Sequence, residues 1–145
     1  MTKEAVMEFF ERYECFFMDS LNGKVNADDI ASLYASEFIA ASEKGVMAGK
    51  NDAGFMHAME QGYEYYRSIG TKSMHVRNVD ISPIDAMHCV AHVAWTAKYS
   101  TEKNPNIEID FDVHYLMQEL DGKLQVFGWV SGDEQEALKQ HGVIK

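Results

Sequence analysis

The last third of the chain, from His88 to Asp133, contains three runs rich in β-branched and aromatic residues. The runs are HCVAHVAWTAKYS (88–100), IEIDFDVHYLMQEL (107–120) and KLQVFGWVS (123–131). Loop-forming residues separate the first two, and Asp121-Gly122 separates the last two. Asp-Gly favours a two-residue type I′ turn, because both central residues of that turn take a positive φ. The sequence therefore predicts a three-stranded antiparallel meander with Leu120 opposite Lys123.

Turn geometry and side-chain matching predict the register of this meander. Across the second hairpin the expected pairs are Gln118 with Gln125, Met117 with Val126, Leu116 with Phe127, His114 with Trp129, Val113 with Val130 and Asp112 with Ser131. Across the first they are Tyr99 with Ile107, Lys98 with Glu108, Thr96 with Asp110, Trp95 with Phe111, Val93 with Val113 and His92 with His114.

This register gives the meander two unlike faces. One face is almost wholly apolar and contains Cys89, Ala91, Val93, Trp95, Ala97, Ile109, Phe111, Val113, Tyr115, Met117, Val126 and Val130. The other face mixes apolar and polar groups and contains Val90, Leu116, Phe127, Trp129, His92, His114, Asp110, Asp112 and Gln118. We expect the mixed face to be partly enclosed and to line a pocket, and the apolar face to lie outside and be covered in a twofold dimer. The alternative places the apolar face in the core and makes His114 and Trp129 interface residues.

Composition limits the class of protein. The 145 residues are 46% hydrophobic, enough for one core, so a single domain over 1–145 is expected. The formal charge of −10 argues against nucleic acid or a membrane surface as a partner. The N-terminal segment has no apolar run typical of a signal peptide, which predicts a cytoplasmic protein. Cys15 and Cys89 are expected to be reduced thiols.

Helical periodicity and capping residues predict the remaining elements. A first helix contains an aromatic stripe from Val6 to Leu21 and ends at Asn22-Gly23. A short second helix follows Asn26, and a small hairpin covers 36–42 and 46–50. A third helix begins after Asn51 or Asp52 and ends at Gly70. A strand region covers 72–85 and ends at Pro83. A last helix follows Ser131 or Asp133. The predicted order is α-α-β-β-α-β-β-β-β-α.

With the aromatic first helix, the segment LYASEFIAAS and the closing run DGKLQVFGWVSGDEQEAL, this order resembles the nuclear transport factor 2-like superfamily of ketosteroid isomerases, scytalone dehydratases and SnoaL-like polyketide cyclases. The resemblance implies an α+β fold, a cone-shaped, strongly bent mixed β-sheet wrapped around three N-terminal helices with a short C-terminal helix. It also implies a deep apolar pocket and a homodimer. The isomerase base falls near Ser42 and the helix-one oxyanion Tyr near Phe17, so both groups are missing here. The second oxyanion acid falls near His114.

Two groups of residues are candidates for a site. His114, His92 and Asp112 share the mixed face and are the catalytic candidates, because a histidine pair beside a carboxylate can move protons near neutral pH. These groups could instead satisfy one another or meet solvent or a dimer partner. The candidates for binding a small apolar organic ligand are Tyr13, Phe17, Tyr34, Met59, Tyr63, Leu116, Phe127 and Trp129.

Three functions remain open from the sequence. The first is a binding protein without catalysis, favoured by the missing base and Tyr. The second is an isomerase, cyclase or dehydratase in which His114 or His92 acts as acid-base, Asp112 orients it, and Tyr13 or Tyr34 polarises a carbonyl. The third is a protein-interaction module that uses a sheet face. No cofactor is expected, and no metal site either, although His75 or His88 could join the histidine pair.

Overall fold

The computed structural model describes residues 1–145 as an α+β fold with four helices and six strands. The helices are α1 (Lys3–Leu21), α2 (Ala27–Ala31), α3 (Ala53–Ser68) and α4 (Glu134–Gln140). The strands are β1 (Tyr34–Ser42), β2 (Gly45–Lys50), β3 (Thr71–Asp85), β4 (His88–Tyr99), β5 (Ile107–Leu120) and β6 (Lys123–Ser131). The order predicted from the sequence is confirmed. None of the helices is both long and apolar enough to cross a membrane.

Polar side chains start α2, α3 and α4 where the sequence predicted a cap. The Asn26 side chain accepts from the Asp29 amide at the start of α2, and Asp52 accepts from Phe55 at the start of α3. Of the two candidates for α4, Asp133 is the cap, accepting from Glu136. Each cap satisfies an amide that the helix itself cannot bond.

The strands form one curled, unclosed sheet in the order β2-β1-β6-β5-β4-β3. β1 runs parallel to β6, and every other neighbouring pair is antiparallel. Pro83 does not end β3, which continues to Asp85. Proline is tolerated there because β3 is an edge strand, where no further strand needs the missing N–H.

The first hairpin of the meander has the predicted register throughout. His92 pairs with His114, Trp95 with Phe111 and Tyr99 with Ile107. In the turn of the second hairpin, Asp121 has φ 53° and Gly122 has φ 74°, as a type I′ turn requires. Leu120 lies opposite Lys123, and Met117 lies opposite Val126, as predicted.

A β-bulge shifts the second hairpin beyond Met117. Leu116 pairs with Gly128, so Phe127 is an extra residue without a partner in β5. Tyr115 then pairs with Trp129, His114 with Val130, and Val113 with Ser131. The predicted pairs Leu116 with Phe127, His114 with Trp129, Val113 with Val130 and Asp112 with Ser131 are therefore wrong. A Cβ added at Gly128 would lie 2.9 Å from Ile39 Cγ1 and 3.0 Å from Leu116 Cδ1, so a larger residue here would force these side chains to shift.

The almost wholly apolar face of the meander packs against the helices. Ring centroids lie 4.8 Å apart for Phe10 and Tyr115, and 5.7 Å apart for Tyr13 and Trp95. Val93 and Trp95 are at most 2% exposed. The prediction that this face lies outside is therefore wrong. Strand alternation shows which residues share a face, whereas contact with the aromatic stripe of α1 decides which face is inside.

The face that points away from the helices is here called the outer face. It contains Val90, His92, His114, Leu116, Phe127, Val130 and Ile39. Ile39 and Val130 are 42% and 51% exposed. Because of the bulge, Trp129 does not lie on the outer face, as the predicted register required, but on the inner side with Tyr115.

Candidate functional site

A cavity of about 550 Å³ lies between α1, α3, α4 and the inner face of the sheet. Of its 23 lining residues, 17 are hydrophobic. The lining residues that carry the argument below are Tyr13, Tyr34, Tyr66, Trp95, Tyr99, Tyr115, Trp129 and Glu134. Pockets that hold small organic molecules have volumes of roughly 300–1,000 Å³ and are mostly apolar with a few polar groups. The cavity fits that description.

Three tyrosines form the polar part of its inner end, where the lining is most deeply buried. The hydroxyls of Tyr13 on α1 and Tyr34 on β1 lie 3.0 Å apart. The Tyr115 hydroxyl interacts with that of Tyr13, and their ring centroids lie 5.7 Å apart. Tyr34 and Tyr115 are nearly inaccessible to solvent, at 3% and 5%. The part of Tyr13 that remains accessible faces the cavity.

Trp95 adds an indole N–H to the same end. Its Nε1 is buried and has no hydrogen-bond partner, and the Tyr115 hydroxyl lies nearby. The indole N–H can only donate. A buried donor without an acceptor costs free energy, on the order of 1–3 kcal/mol, until something accepts from it.

Burial keeps the three tyrosines neutral. Loss of hydration is the main cause that raises the pKa of Tyr13, Tyr34 and Tyr115 above the ordinary tyrosine value. Each hydroxyl therefore keeps its proton at physiological pH. The Tyr13 hydroxyl contacts both of the others, so two of the three protons bridge oxygens and the third is free to be donated. The inner end thus favours a ligand with a hydrogen-bond acceptor, such as a carbonyl oxygen.

The solvent-accessible end of the cavity, here called the mouth, contains Ala58, Gly132 and Glu134. Glu134 is exposed to solvent there, although neighbouring protein atoms remove part of its hydration. Partial loss of hydration raises the pKa of Glu134 above the ordinary value, and the interaction with the Tyr66 hydroxyl opposes that effect. Tyr99 also lies close enough for the Glu134 charge to raise the pKa of its hydroxyl.

Six of the predicted ligand-binding residues line the cavity: Tyr13, Phe17, Tyr34, Met59, Tyr63 and Trp129. The other two, Leu116 and Phe127, lie on the outer face and do not line it. Trp129 reaches the cavity through the bulge rather than through the register that the sequence predicted.

The structure brings His92 and His114 together on the outer face, away from the cavity. Their rings are perpendicular, with centroids 4.7 Å apart, and His92 Nε2 lies 2.8 Å from Ser82 Oγ. The Asp112 carboxylate is directed to Arg77, with Oδ1 4.0 Å from Nη2, rather than to either histidine. Asp112 is among the residues that line the cavity, whereas His92 and His114 are not. The three residues therefore do not form one polar end of the cavity, and a catalytic role for them stays a prediction.

The other histidines considered for a metal site are engaged separately. His75 Nδ1 lies 3.3 Å from Glu14 Oε1, and His88 Nδ1 lies 2.7 Å from Asp85 Oδ1. No three His, Cys, Asp or Glu side chains lie close enough together to hold a metal ion.

The sequence missed several lining residues that carry polar groups, namely Trp95, Tyr99, Tyr115 and Glu134. For Trp95 and Tyr115 the sequence did contain a signal of a polar role. Each introduces an N–H or O–H into a face that is otherwise apolar, and buried groups of that kind need a partner. Glu134 had no comparable signal, since acids are usual in the first turn of a helix.

The curled sheet, the helices packed inside it and the cavity between them are features of the NTF2-like class. A structure from Novosphingobium aromaticivorans, described as an NTF2-like protein with a cystatin-like fold, matches with a TM-score of 0.68 at 9% identity, over 99% of this chain and 88% of that one. An NTF-2-like protein of unknown function from Shewanella oneidensis matches with 0.65 at 13% identity, over 92% of this chain and 100% of that one. A protein of Novosphingobium aromaticivorans provisionally named a scytalone dehydratase matches with 0.63 at 12% identity, over 88% and 80%.

The family model described as NTF2-like protein (DUF6841) matches residues 3–134. The chain therefore belongs to this NTF2-like family, as the sequence resemblance indicated. No curated protein matches it. At the identities found, the solved structures establish the fold alone.

Proposed function

We propose that residues 1–145 form a single domain that binds a small, mostly apolar organic molecule carrying an acceptor oxygen. The observation that carries this proposal is the unpartnered Trp95 N–H beside neutral tyrosine hydroxyls at the inner end of an aromatic cavity. The inner end supplies hydrogen-bond donors, and the apolar walls of the cavity supply contact area. A flat molecule with a carbonyl at one end satisfies both.

The first test is native mass spectrometry of the purified protein, followed by denaturation and identification of any released molecule. A second test uses the neutral naphthyl ketone prodan, whose fluorescence reports transfer to an apolar site. Trp129→Leu is expected to weaken prodan binding, since Trp129 lines the cavity. Phe127→Leu is the matched control, because Phe127 lies two positions away in β6 and outside the cavity. Equal losses in the two variants, or no binding by the wild type, would contradict the proposal.

A second candidate is a cofactor-independent enzyme of the isomerase, cyclase or dehydratase type. The specific observation in its favour is the group of Tyr13, Tyr34 and Tyr115 hydroxyls, whose free proton could stabilise negative charge on a carbonyl oxygen. Proton transfer at carbon also needs a base, and Glu134 is the carboxylate with a raised pKa in this cavity. Incubation of the released ligand with the protein in heavy water tests this candidate. Deuterium at carbon, lost in Tyr34→Phe, supports it, and no incorporation rejects it.

We also propose that two copies pair through the outer face. Ile39 and Val130 leave apolar side chains exposed there, and Leu116, Phe127 and Val90 extend the patch. The flanking ion pairs, Arg77 with Asp110 at 2.9 Å and Lys98 with Glu108 at 3.4 Å, supply both signs of charge, as a surface that meets its own copy requires. In such a dimer His92 and His114 would meet the second subunit.

Light scattering coupled to size exclusion tests the pairing. The wild type is expected at twice the chain mass of 16.4 kDa, and Val130→Lys at the single mass. Met7→Lys is the control, since Met7 is 42% exposed on α1, away from the outer face. A monomeric wild type, or dissociation by the Met7 variant as well, would count against the interface.

A further inference from the structure

The charges around the cavity are of one sign. None of the 23 lining residues is Lys, Arg or His, whereas Asp112, Asp133 and Glu134 are among them. An anionic ligand would therefore enter without a counter-charge and would face like charges. The lining thus selects against carboxylates and phosphates and admits neutral or cationic molecules.

Two of the three carboxylates already have partners. Asp112 is directed to Arg77, at 4.0 Å. Asp133 accepts from the Glu136 amide at 3.1 Å and lies 3.9 Å from Lys44 Nζ. Glu134 forms no ion pair with any basic side chain, so its carboxylate is the one charge of the lining that remains uncompensated.

Aromatic rings lie next to that carboxylate. The Tyr66 hydroxyl interacts with the Glu134 carboxylate, and Tyr99 lies near enough for that charge to act on its hydroxyl. Both tyrosines line the cavity, as do Trp129 and Phe17. Aromatic rings attract a cation, and a carboxylate among them strengthens that attraction. Proteins use this combination to hold organic ammonium groups.

The helix that starts beside Glu134 does not reverse this preference. The start of a helix favours anions, but the Asp133 cap and the acids Glu134 and Glu136 already occupy the first turn of α4. Another anion would add to three acidic groups.

We propose that the ligand of this cavity is an amine, with its ammonium group held by the Glu134 carboxylate beside Tyr66 and Tyr99 and its acceptor oxygen at the Trp95 end. This inference rests on the binding function proposed above and adds the chemical class of the ligand. The apolar body of the molecule would lie between these two polar ends, against Trp129 and Phe17.

Three naphthalene probes that differ only in one group test the inference: naphthylmethylamine, naphthylmethanol and naphthoic acid. Titration calorimetry at neutral pH is expected to give binding about tenfold tighter for the amine than for the alcohol, with the acid weakest. Glu134→Gln should remove the preference for the amine and leave the alcohol unchanged. Glu136→Gln is the matched control, because it removes a charge from the same turn of α4 but does not line the cavity.

The outcomes distinguish the proposed ammonium site from the proposed binding function. If the alcohol binds as tightly as the amine, the ammonium site is rejected and the cavity stands. If the preference for the amine survives in Glu134→Gln, or disappears equally in Glu136→Gln, Glu134 is not the group that holds the cation. If no probe binds and the purified protein releases no molecule, the binding function fails, and the ammonium site fails with it.

Discussion

The hydroxyls of Tyr13 and Tyr34 lie 3.0 Å apart, one from the first helix and one from the first strand. The two residues are 21 positions apart in the chain, and their contact joins α1 to β1 across the inner end of the cavity. Because both are neutral and largely shielded from bulk water, their bond contributes more than a surface contact would.

A double-mutant cycle should detect this bond. Tyr13→Phe and Tyr34→Phe are each expected to lower the free energy of unfolding by about 1 kcal/mol, since each leaves one buried hydroxyl without its partner. The double variant should lose less than the sum of the two, with a coupling of at least about 0.5 kcal/mol in denaturant unfolding. Tyr65→Phe is the control, because the Tyr65 hydroxyl makes only exposed contacts with Gln135. Strictly additive losses would mean that the bond does not form in solution.

High pH should unfold the protein and ionise its tyrosines together. Burial raises the pKa of Tyr13, Tyr34, Tyr63, Tyr66, Tyr99 and Tyr115 above the ordinary tyrosine value near 10. The folded state therefore keeps protons that the unfolded state releases above about pH 10, and stability falls as pH rises from there. Each tyrosine adds up to about 1.4 kcal/mol per pH unit to that loss.

Absorbance of tyrosinate and far-ultraviolet circular dichroism, recorded through the same alkaline titration, check this expectation. The two transitions should coincide. Tyrosinate that forms near pH 10 while the helical signal stays native would show that the six side chains are open to water.

Glu134→Gln should change how stability depends on pH. The raised pKa means that the folded state holds this proton to a higher pH than the unfolded state does. Its contribution is therefore fully present below the ordinary pKa of Glu and is lost as pH rises through the raised value. Near pH 3 the variant and the wild type should have the same melting temperature. At pH 7 the melting temperature of the variant should be higher by less than about 2 °C, because solvent screens the charge.

Thermal melts of Glu136→Gln supply the comparison for this effect. That substitution removes an exposed acid that favours the start of α4, so its melting temperature should stay level or fall at pH 7. A fall for Glu134→Gln at pH 7 would contradict the raised pKa of its carboxylate.

Gly70 and Gly23 offer a matched pair for the cost of a side chain. Both take a positive φ, 87° and 83°, so alanine at either costs about 1–2 kcal/mol in backbone conformation alone. A Cβ at Gly23 meets nothing, whereas one at Gly70 would collide with the Ser100 carbonyl. Ser100 is fixed there, since its N–H donates to the Gly70 carbonyl at 2.8 Å.

Gly70→Ala should therefore destabilise the protein by at least about 2 kcal/mol more than Gly23→Ala, measured by urea unfolding. Similar losses for the two variants would mean that the strand end near Ser100 can move aside.

Local signals were enough to predict the order of elements, the helix caps and the first hairpin. In that hairpin, the match of Trp95 with Phe111 and of Lys98 with Glu108 excludes a slip by one residue. The bulge could not be predicted in this way, because Phe127 fits either face and only contacts with Ile39 and Leu116 favour glycine at 128. Which face is inside depends on how α1 packs, and that is a long-range property. The predicted location of His92 and His114 failed for this reason, while Tyr13 and Tyr34 followed from the helix stripe and the strand start.

The bulge in β6 has a consequence for how this protein can change over time. In a regular strand, residues 127 and 129 would point the same way, and a substitution at either would alter one shared surface. Because Phe127 is an extra residue in β6, it faces the outside while Trp129 faces the cavity. Mutations at these two sites can therefore accumulate independently. A change at 129 alters the cavity, and a change at 127 alters the outer face.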